Sequence, residues 1–272
     1  MDRSEYEEYF RKLCGTSNDE PYSLDESLKI LNLTKYCKEI KYLLMNLNEQ
    51  PYSNEEYLTA VLSAIAKNKW DMQTLDKLIK ATFPAGVLSE QYDLDQCQTN
   101  KATVELLLKD TWWIKDGTNI VMFGGPGQGK TLLAVELGKV AVRQGYTTLF
   151  SNARLLFEKL KKQEVTYGDR PIGSFYSSQV LIIDDIGHAR PEHDDVSTLF
   201  FRLIDWRVSE GRSTIITSNT QPNEWIMTLG GSEHTQKAAL DRILYKTKIL
   251  AHTGEESLRF LKFKEFNKDI LN

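Results

Sequence analysis

The chain has 272 residues, a formal net charge of −4, 41% hydrophobic and 26% charged residues. That length suits one large domain, or a main domain with a smaller one, and can bury a substantial core. Residues 1–100 sum to −6 and residues 101–272 to +2, so bulk charge excludes a strongly basic DNA-binding domain and leaves nucleic-acid contact to a local patch.

No apolar stretch reaches membrane-spanning length, so no membrane partner is expected. The acidic N-terminus MDRSEYEEYF lacks the apolar core of a signal peptide. Cys14, Cys37 and Cys97 form no metal or redox pattern, which makes the reducing cytoplasm the expected compartment. There is no internal repeat.

Residues 23–47 read as helical, with Leu24, Leu28, Leu31, Tyr36 and Ile40 as apolar markers. Ser53-Asn54-Glu55-Glu56 is a capping box, a hydroxyl at the cap and a carboxylate three residues on. The helix that it opens is expected to run through Leu58, Val61, Leu62 and Ile65. Another follows around Leu75 to Ile79. Phe83-Pro84-Ala85-Gly86 then breaks the pattern. This predicts a helical N-terminal region over 1–84, read as a partner-docking region, and a second domain over 85–272.

From about Val104 the pattern alternates. Strands are expected at 120–123, 147–150, 180–183, 214–217 and 249–251, with helical spacing between them. Such alternation predicts a parallel sheet covered by helices on both faces. Trp112 and Trp113 are expected to pack the base of this domain.

Gly124-Gly125-Pro126-Gly127-Gln128-Gly129-Lys130-Thr131 fits G-x-x-x-x-G-K-[ST], the phosphate-binding P-loop or Walker A motif. It follows an apolar, β-prone run and precedes helical spacing that starts at Leu132. A strand, a glycine loop and a helix in that order gather backbone N–H groups and a helix N-terminus around one anion. Lys130 is expected at the β- and γ-phosphates of ATP, and the Thr131 hydroxyl on Mg2+.

Val180-Leu181-Ile182-Ile183-Asp184-Asp185 is an apolar strand ending in two acids, a Walker B pattern. Asp184 is expected to hold the metal, directly or from its second shell, and Asp185 to orient the attacking water. The next strand ends in Thr217-Ser218-Asn219. Asn219 is the candidate contact to the γ-phosphate or water; read alone, it fits an Asx-turn better.

Lys159, Lys161 and Lys162 end an expected helix, and Arg170 follows in a loop. They suit DNA phosphates, or equally a solvated basic helix end that complements the helix dipole. His188, Glu192, His193, Asp194 and Asp195 match no standard metal spacing and read as a polar loop.

The chain resembles the AAA+ ATPases of the IstB and DnaC clade, the transposition helpers and helicase loaders. The resemblance rests on GGPGQGKTLLAVELG, GYTTLFSNARLLFEKL and LIIDDIG, then TLFFRLIDWR, GRSTIITSN, NEW, AALDRIL and TGEESLRF. SNEEYLTAVLSAIAKNKW with ATFP resembles the IstB N-terminal region.

The resemblance implies a P-loop AAA+ three-layer α/β domain with a parallel five-stranded sheet and no C-terminal lid, so that no second-sensor arginine is named. It also implies an arginine finger at Arg242 that reaches a neighbour's nucleotide; from the residues alone, Arg242 reads as a helix-surface arginine paired with Asp241 or Glu233. Asp185 departs from the glutamate of many AAA+ proteins.

The expected function is that of a Mg2+-dependent ATPase stimulated by DNA and by assembly into a homo-oligomeric ring or spiral. It would recruit or activate a transposase. The same core would serve a replicative helicase loader, and a rival of another class is a nucleotide-binding scaffold without DNA-stimulated turnover.

Overall fold

The computed structural model describes residues 24–30, 33–47, 53–168, 170–188, 196–225, 233–254 and 257–267. Two compact units emerge, Met1–Asp71 and Met72–Asn272.

In the first unit, helix α1 covers Leu24–Ile30 and α2 covers Cys37–Leu47, with a 3-10 turn over Thr34–Tyr36 between them. The helix expected over 23–47 is therefore two. Leu33 leaves helical geometry at φ −108° and ψ 9°, and its N–H bonds back to the Leu28 carbonyl at 2.7 Å. Leu28, Tyr36 and Ile40 are buried, with Leu33, Cys37, Val61 and Ile65 packed against them.

Helix α3 runs from Asn54 to Lys80. The capping box forms: the Ser53 N–H donates to the Glu56 carboxylate at 2.8 Å, and the Glu56 N–H donates to Ser53 Oγ at 3.3 Å. Two expected helices are one, because residues 54–80 contain no glycine or proline. It stops where Thr82 turns left-handed at φ 56°, just before Pro84. The division between the units thus falls inside α3, ahead of the composition change at 84/85, and Ala81 and Phe83 are buried in the core of the larger unit.

The larger unit continues with α4 (Ala85–Leu88), α5 (Lys101–Lys109) and α6 (Trp112–Lys115). Then follow β1 (Asn119–Gly124), α7 (Lys130–Arg143), β2 (Thr148–Asn152), α8 (Ala153–Tyr167), α9 (Ser174–Ser177) and β3 (Val180–Asp184). The last elements are α10 (Val196–Ser209), β4 (Ser213–Ser218), α11 (Glu233–Leu244), β5 (Thr247–His252) and α12 (Leu258–Phe266).

All five expected strands are present. They form one parallel sheet in the order β2-β3-β4-β1-β5. Its strands read as near-continuous apolar runs because both faces are covered. Alternate residues serve opposite layers. Val121, Leu181, Ile183 and Ile216 join Leu156, Phe200 and Leu203 of the α8 and α10 layer. Ile120, Met122, Ile182 and Ile215 join Leu133, Leu137 and Trp113 on the other side. Trp113 is fully buried there, with Trp112 packed against the same cluster, as expected. This is the three-layer α/β architecture that the sequence predicts.

Among the described residues, one charged side chain lies entirely inside this unit. Arg207 of α10 is 0% exposed. Its guanidinium donates to the carbonyls of Phe175 (2.8 Å), Ser178 (2.9 Å) and Ser213 (2.6 Å), and to Thr214 Oγ1 (3.0 Å). It thereby fastens α9 and the entry to β4 onto α10. Burial acts against its charge, and carbonyl acceptors offset that cost. Arg207→Lys keeps the charge but loses the planar fork. We expect it to lower unfolding free energy by about 3 kcal/mol, since it strands buried carbonyls and a buried cation. Urea denaturation checks this; an unchanged midpoint would show that the clamp contributes nothing.

Candidate functional site

β1 ends at Gly124, and α7 begins at Lys130, so the P-loop spans the gap between a strand end and a helix N-terminus. Gly124 has φ +146°, and a Cβ there would stand 2.3 Å from the His252 carbonyl oxygen. Gly127, at φ +77°, would place a Cβ 2.0 Å from Ser257 Oγ. Only glycine fits where the loop is pressed against the end of β5 and the chain that follows it.

Lys130 is 7% exposed. Its three ammonium donors meet the carbonyls of Gly124 (2.9 Å) and Gly125 (2.7 Å) and Asn219 Oδ1 (2.9 Å). Burial pushes its pKa down, and the charges of Asp185 and Asp184 push it back up. Asn219 Nδ2 in turn donates to Asp185 Oδ1 at 3.2 Å. The Walker A lysine, Asn219 and the second Walker B acid therefore form one connected row. Trp225, from Asn-Glu-Trp, is buried and donates through Nε1 to Ser218 Oγ at 2.9 Å, which anchors the turn that carries Asn219.

A second row crosses the strand ends. Thr131 Oγ1 donates to Asp184 Oδ1 at 2.7 Å, and Thr217 Oγ1 donates to the same oxygen at 2.7 Å. The Asp185 N–H donates to Thr217 Oγ1 at 2.9 Å. Asp185 is left-handed at φ 60°. Burial raises the Asp184 pKa, opposed by the hydroxyls of Thr217 and Thr131 and by Lys130. A hydroxyl and a carboxylate side by side are hard oxygen donors, a set that suits Mg2+.

These groups face a cavity of about 490 Å³ lined by residues 126–132, Asp184, Asp185, Thr217 and Asn219. Its size is that of a small-molecule site. Gly124 and Gly125 lie behind it, as acceptors for Lys130. The Gln128 side chain turns aside to the Gly254 carbonyl at 2.5 Å.

The sequence reading missed the other walls. Val87 comes from α4, Glu90 and Tyr92 from the segment after it, and Leu258, Arg259 and Lys262 from α12. Lys262 reaches Glu90 at 2.5 Å, joining the two. Among the described residues, one helix, α12, follows β5. It brings Arg259 to the cavity, so an arginine can be named there. TGEESLRF contained the signal, but nothing in it tells that the helix folds back over the P-loop.

The remaining predicted residues lie elsewhere. Arg242 sits in the last turn of α11, half exposed, with Nε 3.1 Å from Asp205. Its partner is thus on α10, and it does not line its own chain's cavity. Lys159 and Lys162 are exposed on α8, Lys161 is half-buried, and Arg170 is exposed in the loop beyond. The Lys159 ammonium lies 5.8 Å from the Phe175 ring centroid. Of the polar loop, residues 189–195 lie outside the described residues.

A family model for IstB-like ATP binding proteins matches residues 26–265. The chain belongs to that family. It is 28% identical over 235 residues to an insertion sequence IS21 ATP-binding protein of Pseudomonas aeruginosa, covering 86% of this chain and 88% of the relative. It is 30% identical over 206 residues to the IS5376 ATP-binding protein of Geobacillus stearothermophilus, covering 75% and 80%. Among solved structures it is similar to DnaI, with TM-score 0.49 and 20% identity over 64% of this chain and 93% of that one. It is also similar to the DnaC helicase loader, with TM-score 0.47 and 24% identity over 56% and 88%. The family to which the chain belongs is thus one of ATP-binding proteins, and the P-loop geometry agrees with that. Among the described residues, no helix is long and apolar enough to cross a membrane.

His252 closes β5 beside the P-loop and is 4% exposed. Burial pulls its pKa down to about 4, against a hydrogen bond to the Leu250 carbonyl. The folded state therefore keeps the ring neutral over a range in which the unfolded chain binds a proton. Stability is full above the unfolded value of 6.5 and falls as pH drops towards about 4. We expect a loss of about 3 kcal/mol across that window. Denaturant midpoints at pH 4.5 and 7 should show a smaller difference in His252→Asn; an equal difference would remove His252 as the cause.

Proposed function

We propose that the protein is a Mg2+-dependent ATPase that assembles on DNA as a ring or spiral and recruits or activates a transposase. The observation that carries the ATPase reading is the row Lys130–Asn219–Asp185 beneath a nucleotide-sized cavity, with Thr131 and Asp184 beside it. Lys130 and the loop backbone bind the phosphates. Thr131 and Asp184 would hold Mg2+, which would neutralise phosphate charge. A γ-phosphate competes with Asn219 for the ammonium, and Asp185 orients water for in-line attack. Arg259 adds positive charge to the cavity lining.

Insertion-sequence relatives favour the transposase over a replicative helicase as partner. The acidic first hundred residues favour a protein-docking role for the N-terminal helices. The site of action is then cytoplasmic. DNA contact falls to Lys159, Lys161, Lys162 and Arg170, and Tyr167 is 52% exposed nearby as a stacking group.

ATP turnover should rise with added DNA. Changing Lys159, Lys161 and Lys162 together to Glu should remove that rise and flatten the salt dependence of DNA binding, while DNA-free turnover stays near wild type. A wild-type protein indifferent to DNA would favour the scaffold reading, and an unchanged variant would move the DNA surface elsewhere.

Arg242 lies outside its own cavity, which supports action on a neighbour's nucleotide. Arg242→Ala should retain ATP affinity and lose about 10³-fold in turnover. Wild-type turnover per subunit should also climb with protein concentration. A rate per subunit that is flat while the protein passes from monomer to oligomer would contradict action in trans.

A further inference from the structure

We propose that Thr217 is a positioning residue that sets the geometry of both Walker B acids through a single hydroxyl. This rests on the reading of Asp184 as metal holder and Asp185 as water-orienting base.

Thr217 is the fifth residue of β4 and 2% exposed. A threonine hydroxyl has one proton to give and lone pairs to accept with. Here the proton goes to Asp184 Oδ1 at 2.7 Å, and a lone pair takes the Asp185 N–H at 2.9 Å. The two bonds have different consequences. The first fixes the carboxylate rotamer of Asp184 together with Thr131, which donates to the same oxygen at 2.7 Å. Asp184 is thus held between two hydroxyls, one offered by the P-loop helix and one by β4.

The second bond acts on backbone. Asp185 follows the last residue of β3 and turns to φ 60°. A left-handed residue there needs its N–H satisfied away from the strand ladder. Thr217 supplies the acceptor, and so fixes the direction in which the Asp185 side chain leaves the chain. That direction matters because Asp185 Oδ1 is the atom that Asn219 reaches. A β-branched residue also keeps few rotamers, so the oxygen is pre-placed rather than recruited.

Removing the hydroxyl should leave phosphate binding intact, since Lys130 and the loop backbone are untouched. It should loosen metal coordination and the water-orienting geometry together. Thr217→Val keeps shape and branching and loses both bonds, whereas Thr217→Ser keeps the hydroxyl and loses the methyl.

The experiment compares wild type, Thr217→Val, Thr217→Ser and Asp185→Asn in the full chain. The readouts are steady-state turnover and the affinity of a fluorescent non-hydrolysable ATP analogue with and without Mg2+. Thr217→Val should bind the analogue without Mg2+ as wild type does. Its gain in affinity on adding Mg2+ should shrink about tenfold. Its kcat should fall about 10²-fold. Thr217→Ser should stay within about threefold of wild type on each measure.

A Thr217→Val protein with wild-type kcat and a wild-type Mg2+ effect overturns the proposal. So does a Thr217→Ser protein as impaired as the valine variant, because packing of the methyl would then be the role; this comparison stands even if the valine variant folds poorly. Wild-type turnover in Asp185→Asn would instead sink the reading of Asp185 itself, which separates the two failures.

Discussion

A buried ammonium must find acceptors, and Lys130 finds three. Two are carbonyls of the loop that precedes it, and the third is a side-chain amide at the end of another strand. Leaving such a charge unpaired inside the protein costs several kcal/mol. The requirement therefore locks the glycine loop into a curve around the lysine and holds the tip of β4 against the tip of β1. The order β2-β3-β4-β1-β5 is the topological counterpart, since it inserts β4 between the strand of the P-loop and the strand of the acids. Asn219 can then touch both sides, and no adjacent placement of β1 and β3 would leave room for it.

The parts legible in the sequence are those whose geometry is local. Eight consecutive residues make the P-loop, and one strand ends in Asp184 and Asp185. The strands were visible because a sheet covered on both faces writes itself as apolar runs. The capping box at Ser53 was visible because both of its bonds lie within four residues. What escaped depends on residues far apart in the chain. The long α3 looked like two helices because its apolar spacing is uneven, although no residue in it breaks a helix. Thr217 stood two positions before the residue singled out, in a strand whose hydroxyls carry no spacing rule. Arg259 and Lys262 are 129 and 132 positions from Lys130, as the numbering gives, and only the fold of α12 brings them to the cavity.

Asp185 shows how backbone geometry bears on residue choice. The resemblance to AAA+ ATPases leads one to expect glutamate where the sequence has Asp185, a shorter acid. The backbone there is left-handed. Aspartate and asparagine enter that region several times more readily than most side chains. A short acid on a turned backbone, with its N–H tied to Thr217 and its Oδ1 to Asn219, is held more firmly than a longer one that relies on its own torsions. Reach is traded for rigidity.

The two sets of charges that the proposed hydrolysis needs stand in different media. Lys130 is buried and Asp184 half-buried, so their fields are screened less than those of surface charges before any assembly takes place. Arg242 and Asp205 are about half exposed, and a pair of that kind contributes at most about 1 kcal/mol in water. An arginine so weakly held can exchange Asp205 for a phosphate at little cost, but its own field is screened while solvent surrounds it. Its effect on a nucleotide therefore depends on a second surface that excludes water around it. Under the trans reading, the assembly that carries Arg242 to a neighbour's cavity is also what makes its charge effective. That coupling follows from exposure alone: a finger buried in its own subunit would act without a neighbour, and one left in water would stabilise little.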